Sequence, residues 1–254
     1  MSTNVIYAHT LDDKEEIAKT LFRYDMLSLP IVDKEDRLVG IVTVDDSVDV
    51  IQEETTEDFE RMAGITDSGN DTYLKTPAWK LAKSRIVWLM ILMFSSMISG
   101  ALLERYESAI SAIPLLVSFI PMLMGTAGNA GTQASTVIIR GLALDEIEPA
   151  DAFKVWWKEA RISLLVGAIL AVVNYIRLMI QYHDMGVAVT VSATLLIAVF
   201  VAKSMGCLLP ILASKLKIDP ALMATPILAT VVDAACILVY FLLATNILSA
   251  RLGM

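Results

Sequence analysis

The sequence predicts an all-α polytopic membrane protein of five transmembrane helices, with a small α+β module at its N-terminus. Hydrophobic residues make up 56% of the 254 residues and the mean hydropathy is +0.63, whereas ordinary soluble domains are roughly 45–50% apolar. Apolar stretches of about 18 residues or more, long enough to cross a bilayer, all follow residue 84. The acidic residues behind the net charge of −8 crowd into residues 12–71. A charged, water-exposed segment is therefore expected before a membrane-embedded one.

The N-terminal module is expected to follow the order β-α-β-β-α. Its strand-like runs cover residues 5–9, 29–32 and 38–44. An amphipathic helix with Ile17, Leu21 and Phe22 on its apolar face follows the first run, and a second helical stretch covers residues 45–54. Residues 53–76 are polar and contain glycines, so they are expected to form a linker.

Five membrane spans are predicted, and a helix from about Pro77 leads into the first of them. The spans are residues 86–103, 112–140, 160–180, 187–213 and 221–247. Residues 1–60 are mixed and charged, so no cleavable signal peptide is recognised, and the N-terminus is expected in the cytoplasm with the spans in the plasma or inner membrane. Lys and Arg concentrate in the loops on that side. Because the number of spans is odd, the C-terminus is expected to be extracytoplasmic.

Residues 121–141 are too polar and too rich in glycine for a helix that faces lipid on all sides. Steps of three and four residues place small and polar groups along one helical face. These residues are Gly125, Gly128, Asn129, Thr132, Gln133, Thr136 and Arg140. Small residues let helix backbones approach closely, so one interpretation is a packing seam. The other is a pore lining, since amide, hydroxyl and carbonyl oxygens are hard donors that suit Mg2+ or Ca2+. Both hypotheses stay open, because different edges of one helix can serve each.

Asp233 lies about midway along the last predicted span. A carboxylate at that depth costs roughly 2.5–3.5 kcal/mol on insertion scales, so it needs water, a cation or a partner. Ala229 and Thr230 lie one turn earlier on the same face, and Pro226 leaves the Leu222 carbonyl without its helical donor. A cation site is therefore one hypothesis, and a structural hydrogen bond to a neighbouring helix is the other.

Two further charged residues lie in or beside the spans. Lys203 falls within the fourth span, where it is expected to snorkel or to pair with a nearby acid. Asp219 just precedes the last span, where it either recruits cations or caps the helix, with Pro220 at the first helical position. Cys207 and Cys236 show neither metal-ligand nor disulfide spacing and are expected to be packing residues.

Three stretches carry a resemblance to a known family. The run GTAGNAGTQ at 125–133, with IRG at 139–141 after it, resembles the signature of the MgtE magnesium channels. The segment DPAL at 219–222, together with Pro226 and Asp233, resembles that family's last transmembrane helix. The soluble part resembles its second CBS motif, so the N-terminal module is CBS-like. The resemblance covers nearly the whole chain.

On this resemblance the chain divides into three parts. Residues 1–55 are a partial (second) CBS-like regulatory module, residues 56–84 are an acidic linker and an amphipathic plug helix, and residues 85–254 are a five-helix pore domain. CBS motifs of the family work in pairs, whereas this chain carries one.

The resemblance also implies a homodimer whose ion path runs between the second and fifth transmembrane helices of both protomers. Hydrated Mg2+ would bind Asp233 there. The pore residues that the resemblance and the residue chemistry single out are Asp233, Ala229, Gly125, Gly128, Asn129, Thr132, Asp219 and Thr225.

In such channels the cytoplasmic part senses Mg2+ through acidic residues that bound ions bridge. The matching positions here are Asp25, Asp46, Asp49, Glu54, Glu57 and Asp58. Without cations these carboxylates would repel one another. A CBS motif further suggests an adenine nucleotide, for which Asp46 has the spacing to bind the ribose.

The leading hypothesis is thus a Mg2+-selective channel or transporter for magnesium uptake, gated by cytoplasmic Mg2+. The alternatives are an ion-coupled secondary transporter or exporter of Mg2+ or Co2+, and a membrane-anchored Mg2+ sensor without transport. The partners expected are Mg2+, the lipid bilayer and a second copy of the chain, and no nucleic acid. An enzyme is not expected, because the predicted spans contain no HExxH, no GxSxG and no paired aspartates.

Overall fold

The structure, a computed structural model, describes residues 5–65, 73–223 and 226–249 and divides into two units, residues 1–60 and 61–254. The first unit has the predicted order β-α-β-β-α. Its elements are β1 (Ala8–His9), α1 (Lys14–Arg23), β2 (Ser28–Val32), β3 (Leu38–Thr43) and α2 (Val44–Met62). Strand β2 lies in the middle, parallel to β1 and antiparallel to β3.

The first unit has a small apolar core between α1 and the sheet. Leu21 of α1 packs with Leu29 and Ile31 of β2, all three buried. Helix α1 begins where the Asp13 carboxylate accepts a hydrogen bond from the Glu15 amide at 2.8 Å, because the first amides of a helix lack helical acceptors. The expectation for Phe22 is wrong, because it is 47% exposed and does not join the cluster that Ile17 and Leu21 form with the sheet.

Helix α2 is longer than the sequence indicated. It continues to Met62 over residues expected to form a linker. Polarity alone does not end a helix, and residues 45–63 contain neither glycine nor proline. The chain leaves the helix at Gly64, which has a φ of 71°, a left-handed conformation that glycine adopts without strain.

The second unit contains the membrane-crossing helices. They are α3 (Ala78–Arg105), α5 (Ile120–Ala143), α6 (Ala152–Tyr182), α7 (Met185–Lys215) and α8 (Pro226–Ile247), with the short α4 (Glu107–Ala112) before α5. Short 3-10 turns lead into α5, α6 and α8. Within the described residues, five helical segments are long and apolar enough to cross a membrane, and each overlaps one predicted span. The predicted fold class is therefore confirmed.

The core of the second unit lies between α5, α7 and α8. It contains Leu123 and Ala127 of α5, Val199 of α7, and Val232 and Phe241 of α8, all buried. Helix α3, all of which is described, buries only two small polar residues, Ser84 and Ser99. Many of its apolar side chains are exposed, as expected of a helix that faces lipid, because the hydrocarbon core of the bilayer gives them an apolar environment.

Candidate functional site

Helix α5 uses its two edges differently. On one edge, a Cβ placed on Gly206 of α7 would lie closer to the Gly131 carbonyl oxygen than van der Waals contact allows, and 3.2 Å from the Ala134 Cβ. A Cβ on Gly131 would lie 3.2 Å from the Ala202 carbonyl oxygen. The two backbones therefore touch, which only glycine permits here. This edge is the packing seam that the sequence predicted as one of two hypotheses.

The other edge of α5 is polar, and the described residues of the chain do not cover it. Asn129, Gln133 and Thr136 are exposed, and a Cβ on Gly125 or Gly128 would meet no atom within 4 Å. Gly125 is exposed as well, Gly128 and Thr132 are half-buried, and Arg140 is exposed near the end of the helix. Polar groups that face hydrocarbon lose their hydrogen bonds to water, so this edge needs water, an ion or another protein surface in the membrane.

Asp233 lies on α8, a helix that packs against α5. Helix α8 adjoins α5, because a Cβ on Gly131 would lie 3.3 Å from Cδ2 of Leu228. The Asp233 side chain is half-buried. Among the residues that the structure describes, its carboxylate has no hydrogen-bond or ion-pair partner. The hypothesis of a structural hydrogen bond to a neighbouring helix therefore gains no support from the described residues.

Other polar side chains of α8 form hydrogen bonds with backbone carbonyls of their own helix. The Thr245 hydroxyl donates to the Phe241 carbonyl at 2.8 Å, and the Asn246 amide donates to the Leu242 carbonyl at 2.6 Å. Such bonds to the preceding turn let a polar residue stay in an apolar helix. A carboxylate has no proton to donate when it is ionised. An ionised Asp233 therefore cannot use this local solution.

Asp219 has a different role in this structure. Its Oδ1 accepts a hydrogen bond from the Ala221 amide at 2.8 Å, so it caps the 3-10 turn Pro220–Met223. Its other oxygen pairs with the guanidinium of Arg61. A capping contact, one of the two predicted alternatives, is thus present, and both carboxylate oxygens are engaged by protein groups; recruitment of cations by Asp219 stays a prediction. Thr225, also a predicted pore residue, lies outside the described residues.

Lys203 is paired rather than snorkelling. Its Nζ lies 3.4 Å from Oε2 of Glu159 on α6, and the two side chains are 8% and 12% exposed. One residue further along α7, the Ser204 hydroxyl accepts a hydrogen bond from the Trp156 indole at 3.2 Å. Glu159 was not predicted as a partner from the sequence, because it lies one residue before the predicted span 160–180. The signal that could have found Glu159 was an acidic residue beside one span together with a lysine within the next span.

The predicted regulatory residues lie in the first unit. Five of them are on α2, and Asp25 lies in the turn after α1. The Asp46 carboxylate accepts a hydrogen bond from the Thr43 hydroxyl at 2.6 Å. Glu54 pairs with Lys14 at 3.1 Å, and the hydrogen bonds that Lys14 donates to Glu54 and then to Glu53 raise its pKa above the usual range. In the described ranges no three His, Cys, Asp or Glu side chains converge as a metal site would require. Their role in sensing stays a prediction.

Comparison with known proteins identifies relatives of both parts of the chain. A family model described as "MgtE: Divalent cation transporter" matches residues 120–243, and a CBS domain model matches residues 1–51. Proteins named "Magnesium transporter MgtE" are similar over most of the chain. The one from Bacillus subtilis is 37% identical over 245 residues, 96% of this chain and 54% of its own length. The protein from Thermus thermophilus is 37% identical over 250 residues, which are 98% of this chain and 55% of its own length. That from Enterococcus faecalis is 35% identical over 246 residues, 96% and 53%.

The chain is thus a multi-pass membrane protein whose membrane helices match a divalent cation transporter model, with a CBS-type region before them. It belongs to the MgtE family, which confirms the resemblance seen in the sequence. It spans about half the length of the curated relatives that it matches.

Proposed function

We propose that the chain conducts Mg2+ across the membrane, with the ion path at the interface of two copies and hydrated Mg2+ bound by Asp233. The single observation that carries this proposal is that α5 has a polar edge which the described residues leave uncovered, while the neighbouring helix α8 carries a carboxylate without a partner among those residues. Mg2+ is the ion in the names of the similar transporters. A second copy on this edge would remove its polar groups from lipid and place two Asp233 side chains near a twofold axis.

Electrostatics favours a cation at such a place. Two carboxylates that face each other in a medium of low dielectric constant repel strongly unless a cation lies between them. Mg2+ dehydrates reluctantly, so a wide ring of oxygens that binds its water shell suits it better than a tight cage. We assign to this ring the Asp233 carboxylates, the side chains of Asn129 and Thr132, and backbone oxygens near Gly125, Gly128 and Ala229. The proposed path also includes Thr225 and Asp219, and Mg2+ would have to compete with Arg61 for Asp219.

Regulation by cytoplasmic Mg2+ forms the second part of the proposal. Bound ions would bridge the acidic residues Asp25, Asp46, Asp49, Glu54, Glu57 and Asp58. The proposal keeps the division at residues 1–55, 56–84 and 85–254, with the N-terminus in the cytoplasm and the C-terminus outside it. It is supported by the acidic character of α2 and by the CBS match over residues 1–51.

The test is Mg2+ flux into proteoliposomes that contain the wild-type chain, Asp233→Asn or Thr245→Val. Both substitutions preserve side-chain size and lie on α8, but Thr245 bonds only to carbonyls of its own helix. Loss of one charge-assisted contact worth about 1.5–3 kcal/mol predicts a flux roughly 10- to 100-fold lower for Asp233→Asn, and an unchanged flux for Thr245→Val. Size-exclusion chromatography checks folding. Wild-type flux through folded Asp233→Asn would overturn the proposed path.

The dimer interface is tested separately by cysteine cross-linking. Both native cysteines are buried, so they give little background. Asn129→Cys on the polar edge of α5 is expected to form a cross-linked dimer with a short bifunctional maleimide. Ile169→Cys, on an exposed apolar face of α6, is not. Equal cross-linking at both positions would argue against an interface on α5.

A further inference from the structure

The first three turns of α6 carry an exposed face that the ion path does not use. Phe153, Trp157 and Arg161 follow each other at four-residue steps and therefore share one side of the helix. The side chains of Phe153 and Trp157 are 72% and 52% exposed. Trp156 between them is partly buried, and its ring contacts both, with centroid distances of 6.0 and 6.2 Å. The hydrogen bond from Trp156 to Ser204 holds this aromatic group against α7.

Some charged side chains on this part of α6 have a partner of opposite charge among the described residues, and others do not. Lys154 pairs with Asp151 at 2.7 Å, and Glu159 faces inward to Lys203 at 3.4 Å. Lys158 and Arg161 are exposed, and neither has an acidic partner within the described residues. Two unpaired cations therefore remain beside two exposed aromatic rings.

The same side of α6 continues as a purely apolar surface. Leu164, Leu165 and Ile169 follow within the next turns and are 52%, 65% and 57% exposed. Because α6 is a membrane-crossing helix, these side chains face acyl chains. Aromatic rings and cations just outside such a surface are at the depth of lipid headgroups, where Trp and Lys or Arg are favoured.

We propose that this face binds an anionic phospholipid, with its phosphate between Lys158 and Arg161 and an acyl chain along Trp157, Leu164 and Leu165. Charge complementarity selects an anionic headgroup over a zwitterionic one, because the two cations have no acid of their own to neutralise them. The adjoining apolar surface selects a lipid over a soluble anion. The inference needs only that α6 crosses the membrane, and it is independent of the proposed ion path.

Trp157 provides a direct readout, because brominated acyl chains quench indole fluorescence on contact. The experiment uses the full chain in nanodiscs whose phosphatidylcholine is replaced stepwise by brominated phosphatidylglycerol, with brominated phosphatidylcholine as the reference series. Trp157→Phe identifies the part of the signal that comes from this ring. Wild type is expected to be quenched at a lower mole fraction of the anionic lipid than of the zwitterionic lipid.

The matched variants are Lys158→Gln with Arg161→Gln, and Lys154→Gln as the control. Each cation near a lipid surface contributes roughly fivefold in affinity, so the double variant should lose on the order of 25-fold of the preference for the anionic lipid. Lys154→Gln removes a charge from the same helix but should keep the preference, since Lys154 is already paired with Asp151. Lys158→Arg with Arg161→Lys should also keep it.

Three results would overturn the assignment. They are equal quenching of wild type by both lipids, a double variant that is folded on size-exclusion chromatography and retains the preference, and a control that loses as much as the double variant. The last result would show a response to total charge rather than a site.

Discussion

Replacing Gly206 by alanine tests the contact between α5 and α7. The added Cβ would clash with the Gly131 carbonyl oxygen, because it would lie well inside the van der Waals contact distance. It would also lie 3.1 Å from the Gly131 carbonyl carbon. Carbon and oxygen atoms in contact normally lie about 3.3–3.6 Å apart, so the two backbones must separate by on the order of 1 Å. Because the obstacle is backbone on both helices, the penalty should reach about 3 kcal/mol, the upper end of overpacking costs. Alanine regains about 1 kcal/mol of helix propensity, which leaves a net loss of about 2 kcal/mol.

The assay is thermal unfolding of the detergent-solubilised chain followed by fluorescence-detected size exclusion. A loss of about 2 kcal/mol predicts a midpoint lower by roughly 4–8 °C for a chain of this size. Gly100→Ala on α3 is the matched control, because a Cβ there meets no atom within 4 Å. It should be neutral or slightly stabilising. At Gly167 the nearest atom, 2.9 Å away, is the end of the flexible Leu196 side chain, so that alanine should fall between the two.

The order Gly206, Gly167, Gly100 is the decisive result. If Gly206→Ala unfolds at the same temperature as Gly100→Ala, the α5–α7 backbone contact is not present in the folded protein, and the assignment of that edge of α5 to packing fails.

Two further predictions concern charged groups. Lys203→Met should destabilise the protein by about 3–5 kcal/mol, because it leaves the Glu159 carboxylate buried without its cation. The double variant Lys203→Met with Glu159→Leu should recover most of this loss in the same thermal assay. A double variant no more stable than the single one would contradict the ion pair. The pKa of Lys14 is raised in the folded state by Glu54 and Glu53, so its contribution to stability is complete below the pKa of an unfolded lysine and is lost as the pH rises through the higher folded pKa. Proteolytic resistance of the first unit should therefore fall in the alkaline range, and Lys14→Met should weaken this dependence; an identical pH profile for the variant would refute it.

The sequence by itself determined the number and place of the membrane helices. A span needs a length of apolar chain that matches the bilayer, and this is a local property that composition reveals. All five spans were predicted for this reason, as was the order β-α-β-β-α of the first unit, where short runs and turns alternate clearly. The family resemblance was equally local, since it rested on contiguous motifs. The end of α2 was missed, because polar residues allow both a helix and a linker, and only Gly64 ends the helix.

Tertiary structure decided what each polar residue contacts. Sequence placed Gly125, Gly131 and Asn129 in one polar segment, but only helix packing separates the edge that touches α7 from the edge left uncovered. In the same way, the partner of Lys203 lies 44 residues away along the chain, on another helix. A helix sequence records which residues share a face, but not which neighbour that face meets, because the neighbour is set by the rotation and crossing of several helices at once.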